Sequence, residues 1–127
     1  MRRALLIVSF GLLLVGCGGE ETVSPTGPVQ GTLPKAEKGD PAAGKKVFAD
    51  AGCGGCHTFK AAGTSATVGP NLDEALKGKD AAFIEESITD PNAEVASGFA
   101  PNVMPQDYSS QLSSQELADL VAFLQSG

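Results

Sequence analysis

The residues best suited to chemistry in this 127-residue chain stand together in one pentapeptide, Cys53-Gly54-Gly55-Cys56-His57. Two thiols three residues apart, followed directly by an imidazole, form the C-x-x-C-H signature for covalent attachment of a c-type haem. Each thiol can add to a vinyl group on the same porphyrin edge, and the adjacent imidazole can then bind the iron axially. His57 is the only histidine, which excludes metal sites built from several imidazoles.

Three other roles for this pentapeptide stay open at this point. A zinc site needs four Cys or His ligands, and the sequence offers only Cys17 besides the three residues of the motif. A thioredoxin-like redox pair requires a βαβ context, which the sequence pattern does not indicate. A disulfide across so short a loop would constrain the chain little. The spacing favours haem attachment over all three.

Met104 is the candidate for the second axial ligand of such an iron. Met1 aside, it is the only methionine, and it lies in a loop between Pro101 and Pro105. Proline stiffens the backbone that must hold a weak ligand in place. A lone methionine is also common as core filling, and that alternative stays open. His/Met ligation is known for c-type haem and raises its reduction potential.

Residues 1–16 have the pattern of a lipoprotein signal peptide. Arg2 and Arg3 precede an apolar run too short for a transmembrane helix, and Leu14-Val15-Gly16-Cys17 resembles a bacterial lipobox. We expect cleavage before Cys17 and lipidation of its thiol, which predicts anchoring at the outer face of the bacterial cytoplasmic membrane. An ordinary secretory signal or an uncleaved anchor is the alternative.

Residues 17–39 are predicted to be the lipidated cysteine and a flexible tether, followed by a folded domain over 40–127. Residues 18–39 contain five Gly, three Pro and no aromatic residue, so they cannot bury enough apolar surface to fold. A strand or loop packed on the domain is the alternative. The net charge of −6 excludes a nucleic-acid-binding surface, which would be basic.

Helix-capping signals predict four helices that would position the motif. The caps are Asp40 before Pro41, Asn71, Asp80, and Ser113 in a capping box with Glu116. The first helix would cover 42–51, the second would cover 72–76 and end at Gly78, and the third would begin at 81 and end before Pro91. The last helix would carry an apolar stripe formed by Leu117, Leu120, Val121 and Leu124. No alternating pattern indicates a sheet, and 58–70 and 91–112 are predicted to be loops. Long loops in so small a domain suggest that a cofactor completes the core.

With its motifs in this order, the chain resembles class I mono-haem cytochromes c over residues 40–127. The resemblance implies a small all-α cytochrome c fold, with about four helices and long loops around one covalently attached haem c. The matching motifs are Gly44 and Phe48, the pentapeptide, Gly69-Pro70-Asn71-Leu72, Val103-Met104-Pro105 and Phe123. The stretch 86–94 before Met104 is most similar to the cytochrome c domain of caa3-type oxidase subunit II, here as a stand-alone lipoprotein.

The resemblance also implies roles for individual residues. Cys53 and Cys56 would carry the haem, and His57 and Met104 would bind its iron. The carbonyl of Pro70 would accept a hydrogen bond from the second nitrogen of His57, which orients a ligating ring and raises its basicity. In the first helix, the pair formed by Gly44 and Phe48 would meet the terminal helix around Leu120 and Phe123.

The sequence offers several candidate partners for the haem propionates. Members of the family often place Arg or Trp there, and after removal of the signal peptide the chain has neither. Tyr108 is the first candidate, ahead of Asn71, Asn102, Gln106 and backbone N–H groups. A tyrosine on the surface without this role is the alternative.

The function implied by the resemblance is one-electron transfer by Fe(III)/Fe(II) cycling, and not enzymatic catalysis, because both axial positions are filled. The partners would be a quinol-oxidising complex and a terminal oxidase on the same membrane face, with the carrier acting as a monomer. Exposed lysines near the motif, at 45, 46 and 60, could form a positive docking patch, or they could be scattered solvated charges. Two other functions stay open: a subunit of a larger oxidoreductase, and a catalyst or sensor with an open sixth site.

Overall fold

The structure, a computed structural model, describes residues 38–127. The signal peptide, Cys17 and almost all of the tether lie outside these residues, so what the sequence predicts for them stays a prediction. The helices are α1 (Pro41–Asp50), α2 (Leu72–Ala75), α3 (Ala81–Thr89), α4 (Tyr108–Gln111) and α5 (Ser114–Gln125), and the strands are β1 (Thr58–Phe59) and β2 (Thr64–Ser65). Within 38–127, no helix combines the length and the apolar character that crossing a membrane requires.

The four predicted helices begin at their predicted caps. The side chains of Asp40, Asn71 and Asp80 each accept a hydrogen bond from a backbone N–H in the first turn of α1, α2 and α3. Ser113 and Glu116 form the predicted capping box at the start of α5. These caps satisfy N–H groups that have no partner inside a helix. The predicted all-α fold is confirmed, with α4 as an additional short helix.

Two short elements differ from the sequence prediction. The stretch 58–70 was expected to be a loop, but β1 and β2 pair there as an antiparallel hairpin. The Thr64 hydroxyl strengthens this hairpin by accepting from the Phe59 N–H at 3.1 Å and donating to the His57 carbonyl at 2.8 Å. Strands of two residues are too short to produce an alternating pattern, and α4, with four residues, is too short to produce a helical one.

The core is centred on the packing of α1 against α5. Gly44 lies so close to α5 that a Cβ atom there would collide with the backbone carbonyl of Asp119. One turn later, Phe48 packs with Phe59 and Phe123, and the three ring centroids lie 5.3–5.8 Å apart. The expected meeting of the first and terminal helices is therefore present. Ile84 and Ile88 of α3, which also packs against α5, belong to the same buried cluster.

A buried carboxylate ties the beginning of the domain to α5. Asp119 is buried, and its Oδ1 accepts a hydrogen bond from the Asp40 N–H at 2.7 Å and from Gln115 Nε2 at 2.8 Å. Gln115 also donates to the carbonyl of Lys38 at 3.3 Å. The last two residues of the predicted tether, 38 and 39, therefore contact the terminal helix.

Candidate cofactor site

A cavity of about 290 Å³ opens between the pentapeptide, the α2–α3 region and the loop that precedes α4. Its lining contains all the site residues that the sequence predicts within 38–127, namely Cys53, Cys56, His57, Pro70, Met104 and Tyr108. A smaller cavity of about 80 Å³ shares Cys53, His57 and Met104 with it and reaches core residues of α3 and α5. The walls are mainly apolar, as expected for a site that takes a large apolar ligand.

The pentapeptide begins with a tight turn that brings its ends together. Cys53–Gly55 form a 3₁₀ turn, and the backbone N–H groups of Cys56 and His57 both donate to the Cys53 carbonyl, at 3.1 and 3.0 Å. The turn follows Gly52, whose φ of 74° is in the left-handed region that favours glycine. Both cysteines and the imidazole consequently lie along one wall of the cavity.

The cysteines lack the features of a zinc or disulfide site. Both thiols are free, and burial raises the pKa of the Cys53 thiol above its usual value. Among residues 38–127, no three His, Cys, Asp or Glu side chains are grouped so that they could hold a metal ion. The structure gives the zinc alternative no support in this part of the chain.

The hydrogen bond of His57 determines which of its nitrogens is free. Nδ1 of His57 lies 2.8 Å from the carbonyl oxygen of Pro70. A carbonyl can only accept, so Nδ1 must carry the proton, and in a neutral imidazole Nε2 then keeps its lone pair. Gly69 fits closely against the ring, since a Cβ there would lie 2.9 Å from Nδ1 and 3.0 Å from Nε2. The turn at 69–70 therefore leaves Nε2 as the nitrogen that can bind a metal.

Tyr108, the first candidate for the propionates, has a different hydrogen-bond partner. It is buried at 8% exposure, so the surface-tyrosine alternative is wrong, and its hydroxyl donates to the carbonyl of Ala51 at 3.2 Å. A phenol has one proton to donate, and the Ala51 carbonyl takes it here. Burial raises the pKa of Tyr108 above its usual value. Tyr108 thus lines the cavity with its hydroxyl directed to Ala51, and its role at the propionates stays a prediction.

The other propionate candidates also have partners. Asn71 caps α2. Asn102 and Gln106, in the loop around Met104, both accept hydrogen bonds from the side-chain amide of Asn92. Lys79, which the sequence prediction missed, is the one cationic side chain in the cavity lining within the described residues. Its Nζ lies 3.9 Å from the Phe83 ring centroid and 4.0 Å from Glu94. No local pattern in the sequence marks Lys79 as a cavity residue.

The lysines considered for a docking patch are all exposed, at positions 45, 46 and 60. Lys45 and Lys46 lie on α1, whereas Lys60 follows β1. The backbone N–H of Lys60 donates to the Asp73 carboxylate at 3.1 Å, which places a negative charge beside it. A local positive patch thus stays a prediction.

The site residues fit a covalently attached haem. Two free thiols, an imidazole with Nε2 available and a thioether line one mainly apolar cavity. This donor set would suit the attachment of a porphyrin and the binding of its iron.

Comparison with known proteins identifies the family. The family model described as cytochrome c matches residues 41–127, which is more than half of the chain and includes every cavity-lining residue named above. A search of curated proteins finds no match. Because family members carry covalently attached haem c with its iron, the same cofactor is assigned here, and a role as a haem-c electron carrier is supported. The chain belongs to the cytochrome c family.

Proposed function

We propose that this protein is a membrane-anchored mono-haem electron carrier that moves single electrons from a quinol-oxidising complex to a terminal oxidase. The observation that carries the proposal is the pairing of His57 and Met104 as two axial-ligand side chains on one cavity. With both axial positions filled, no coordination site is left for a substrate. The haem, when bound, supplies the Fe(III)/Fe(II) couple.

The roles of the chain's own residues follow from the site. Cys53 and Cys56 would hold the porphyrin through thioether bonds, and Nε2 of His57 and the sulfur of Met104 would bind the iron. Pro70 keeps the proton of His57 on Nδ1 through the 2.8 Å hydrogen bond. The apolar walls exclude water, which favours the less charged ferrous form and supports a high potential. Lys79 is proposed to supply a positive charge for one propionate.

Membrane anchoring is proposed from the sequence of residues 1–17. Lipidation of Cys17 would attach acyl chains, and two or more chains hold a protein stably at a bilayer. Residues 18–37 would then connect the anchor to the folded part. As a flexible coil, a linker of this length spans roughly 25 Å, which gives the domain enough reach to move between partners embedded in the same membrane.

Spectroscopy of the haem tests the two axial ligands. A pyridine-haemochrome assay should show covalently attached haem c, and the ferric protein should show the sulfur-to-iron charge-transfer band. Met104→Leu, which conserves volume, should abolish this band, lower the potential and allow carbon monoxide to bind the ferrous protein. Ready binding of carbon monoxide to the ferrous wild type would refute the carrier proposal and favour the catalyst or sensor.

The anchor and the partners need separate tests. Cys17→Ser should release the protein into the soluble fraction with an unchanged haem spectrum, and retention in the membrane would refute lipid anchoring. Stopped-flow mixing with quinol-oxidising complex and with terminal oxidase should show reduction and reoxidation of the haem. Stoichiometric co-purification with one complex after mild detergent extraction would instead identify a fixed subunit.

A further inference from the structure

We propose that Asn92 is a positioning residue that holds the Met104 loop where the thioether can bind iron. The inference rests on the proposed function, because it takes Met104 as the axial ligand. Asn92 lies beyond the end of α3, ten residues before Asn102 and twelve before Met104 in the sequence. Its side chain bonds to one residue before Met104 and to one residue after it.

Hydrogen bonds from one amide side chain clamp the loop. Nδ2 of Asn92 donates to Asn102 Oδ1 at 2.9 Å and to Gln106 Oε1 at 2.6 Å. Oδ1 of Asn92 accepts from the backbone N–H of Asn102 at 2.9 Å. Gln106 then donates from Nε2 to the carbonyl of Met104 at 2.7 Å. Asn92 thereby contacts residues before and after Met104, and one of them bonds directly to the methionine backbone.

Two backbone groups fix the orientation of these amides. The Asn102 N–H can only donate, so the atom of Asn92 that faces it must be the oxygen. The Met104 carbonyl can only accept, so Gln106 must present its nitrogen there and its oxygen to Asn92. Asn92 must therefore place its NH₂ group towards Gln106. Only a side chain that donates and accepts from adjacent atoms can make this set of bonds.

The loop depends on these side chains because its own backbone is not otherwise held. Within the described part of the chain, no backbone-to-backbone hydrogen bond involves residues 100–106. Pro101 and Pro105 lack an N–H, which reduces the number of donors available. Asn102 has a φ of 61°, a left-handed conformation that asparagine adopts more readily than most residues because its short polar side chain can support it with hydrogen bonds. The bonds from Asn92 provide that support.

Competition with an external ligand measures how firmly the loop holds Met104. A thioether is a weak, neutral ligand, so imidazole added to the ferric holoprotein competes with it for the iron. Asn92→Ala removes three hydrogen bonds, and we expect it to raise the apparent affinity for imidazole about tenfold. Asn92→Asp keeps the acceptor for Asn102 but loses both donors, and should raise the affinity at least as much. Gln111→Ala, an exposed amide on α4, is the control and should match the wild type.

A double-mutant cycle separates positioning from general loosening. In Met104→Ala the iron has no sulfur to displace, so adding Asn92→Ala should leave imidazole affinity unchanged. The inference is overturned if Asn92→Ala binds imidazole like the wild type, or if it raises affinity equally in the Met104→Ala background. The proposed function fails differently: Met104→Ala itself would then change neither the charge-transfer band nor imidazole affinity.

Discussion

Replacing Gly44 with alanine tests the packing of α1 on α5, since two physical effects predict opposite signs. Gly44 is in the interior of α1, where helix propensity alone favours alanine over glycine by about 1 kcal/mol. The new methyl group, however, would meet the backbone carbonyl of Asp119 and lie 2.8 Å from the Cβ of Phe123. Helix propensity thus predicts stabilisation, and packing predicts destabilisation.

The structure indicates that the cost of overpacking is larger than the gain in helix propensity. Overpacking a well-filled interface costs about 1–3 kcal/mol, and the upper end applies where the obstacle is backbone, which has no rotamer to change. Subtracting the gain in propensity leaves a fall in the free energy of unfolding of about 2 kcal/mol. For a domain of this size, such a loss lowers Tm by about 8–16 °C.

Thermal unfolding of the holoprotein, followed by far-ultraviolet circular dichroism, measures this change. Ala49→Gly is the matched variant, because Ala49 is exposed on the same helix and its replacement reports the propensity contribution without the contact with α5. The haem spectrum should stay as in the wild type for both variants. A Tm for Gly44→Ala equal to or above that of the wild type would refute the close approach of α1 and α5.

Three further outcomes concern the cofactor site. Replacing both Cys53 and Cys56 with Ser should leave the domain largely unfolded by circular dichroism, because the empty cavity interrupts the core; cooperative melting near the Tm of the holoprotein would contradict this. Gly69→Ala should alter the ferric spectrum by displacing the His57 ring, whose Nδ1 would lie 2.9 Å from the new methyl group. An unchanged spectrum would show that the backbone at 69–70 can move without displacing the ring. Tyr108→Phe should cost about 0.5–1.5 kcal/mol at pH 7 without changing the spectrum. Burial raises the pKa of Tyr108 in the folded state. Its contribution to the free energy of unfolding is therefore present below the unfolded pKa of about 10 and is lost as the pH rises through the folded pKa. Denaturant unfolding at pH 8 and pH 11 should show this loss in the wild type and not in Tyr108→Phe.

The helices were predictable because their signals are local. Asp80 and Ser113 are separated by only three residues from the N–H groups that they cap, so the capping pattern is visible in any window of sequence. The apolar stripe of the terminal helix is likewise contained within α5. The pentapeptide carries its own spacing rule, since both thiols must reach one porphyrin edge.

The remaining features depend on contacts between distant residues. The hydroxyl of Tyr108, for example, donates to the carbonyl of Ala51, which is fifty-seven residues away in the sequence. The role of Lys79 depends on how α3 lies beside the cavity, which no local pattern reveals. The same holds for Asn92, whose partners belong to a loop that follows it by ten to fourteen residues. Side chains whose partners are distant in the sequence leave no periodic pattern from which these contacts could be predicted.

The two proposed axial ligands are held by different means, and this difference has a consequence for function. His57 follows Cys56 directly, and the turn that carries Pro70 is bonded back to the pentapeptide through the Gly69 N–H and the Cys56 carbonyl at 2.8 Å. Met104 relies on exposed amide side chains, which compete with water for the same bonds. We therefore expect opening on the methionine side to cost less free energy than opening on the histidine side. An electron carrier needs the sixth coordination position of its iron closed to external ligands. We therefore expect the side chains around Met104, and not the C-x-x-C-H motif, to determine how well that position stays closed.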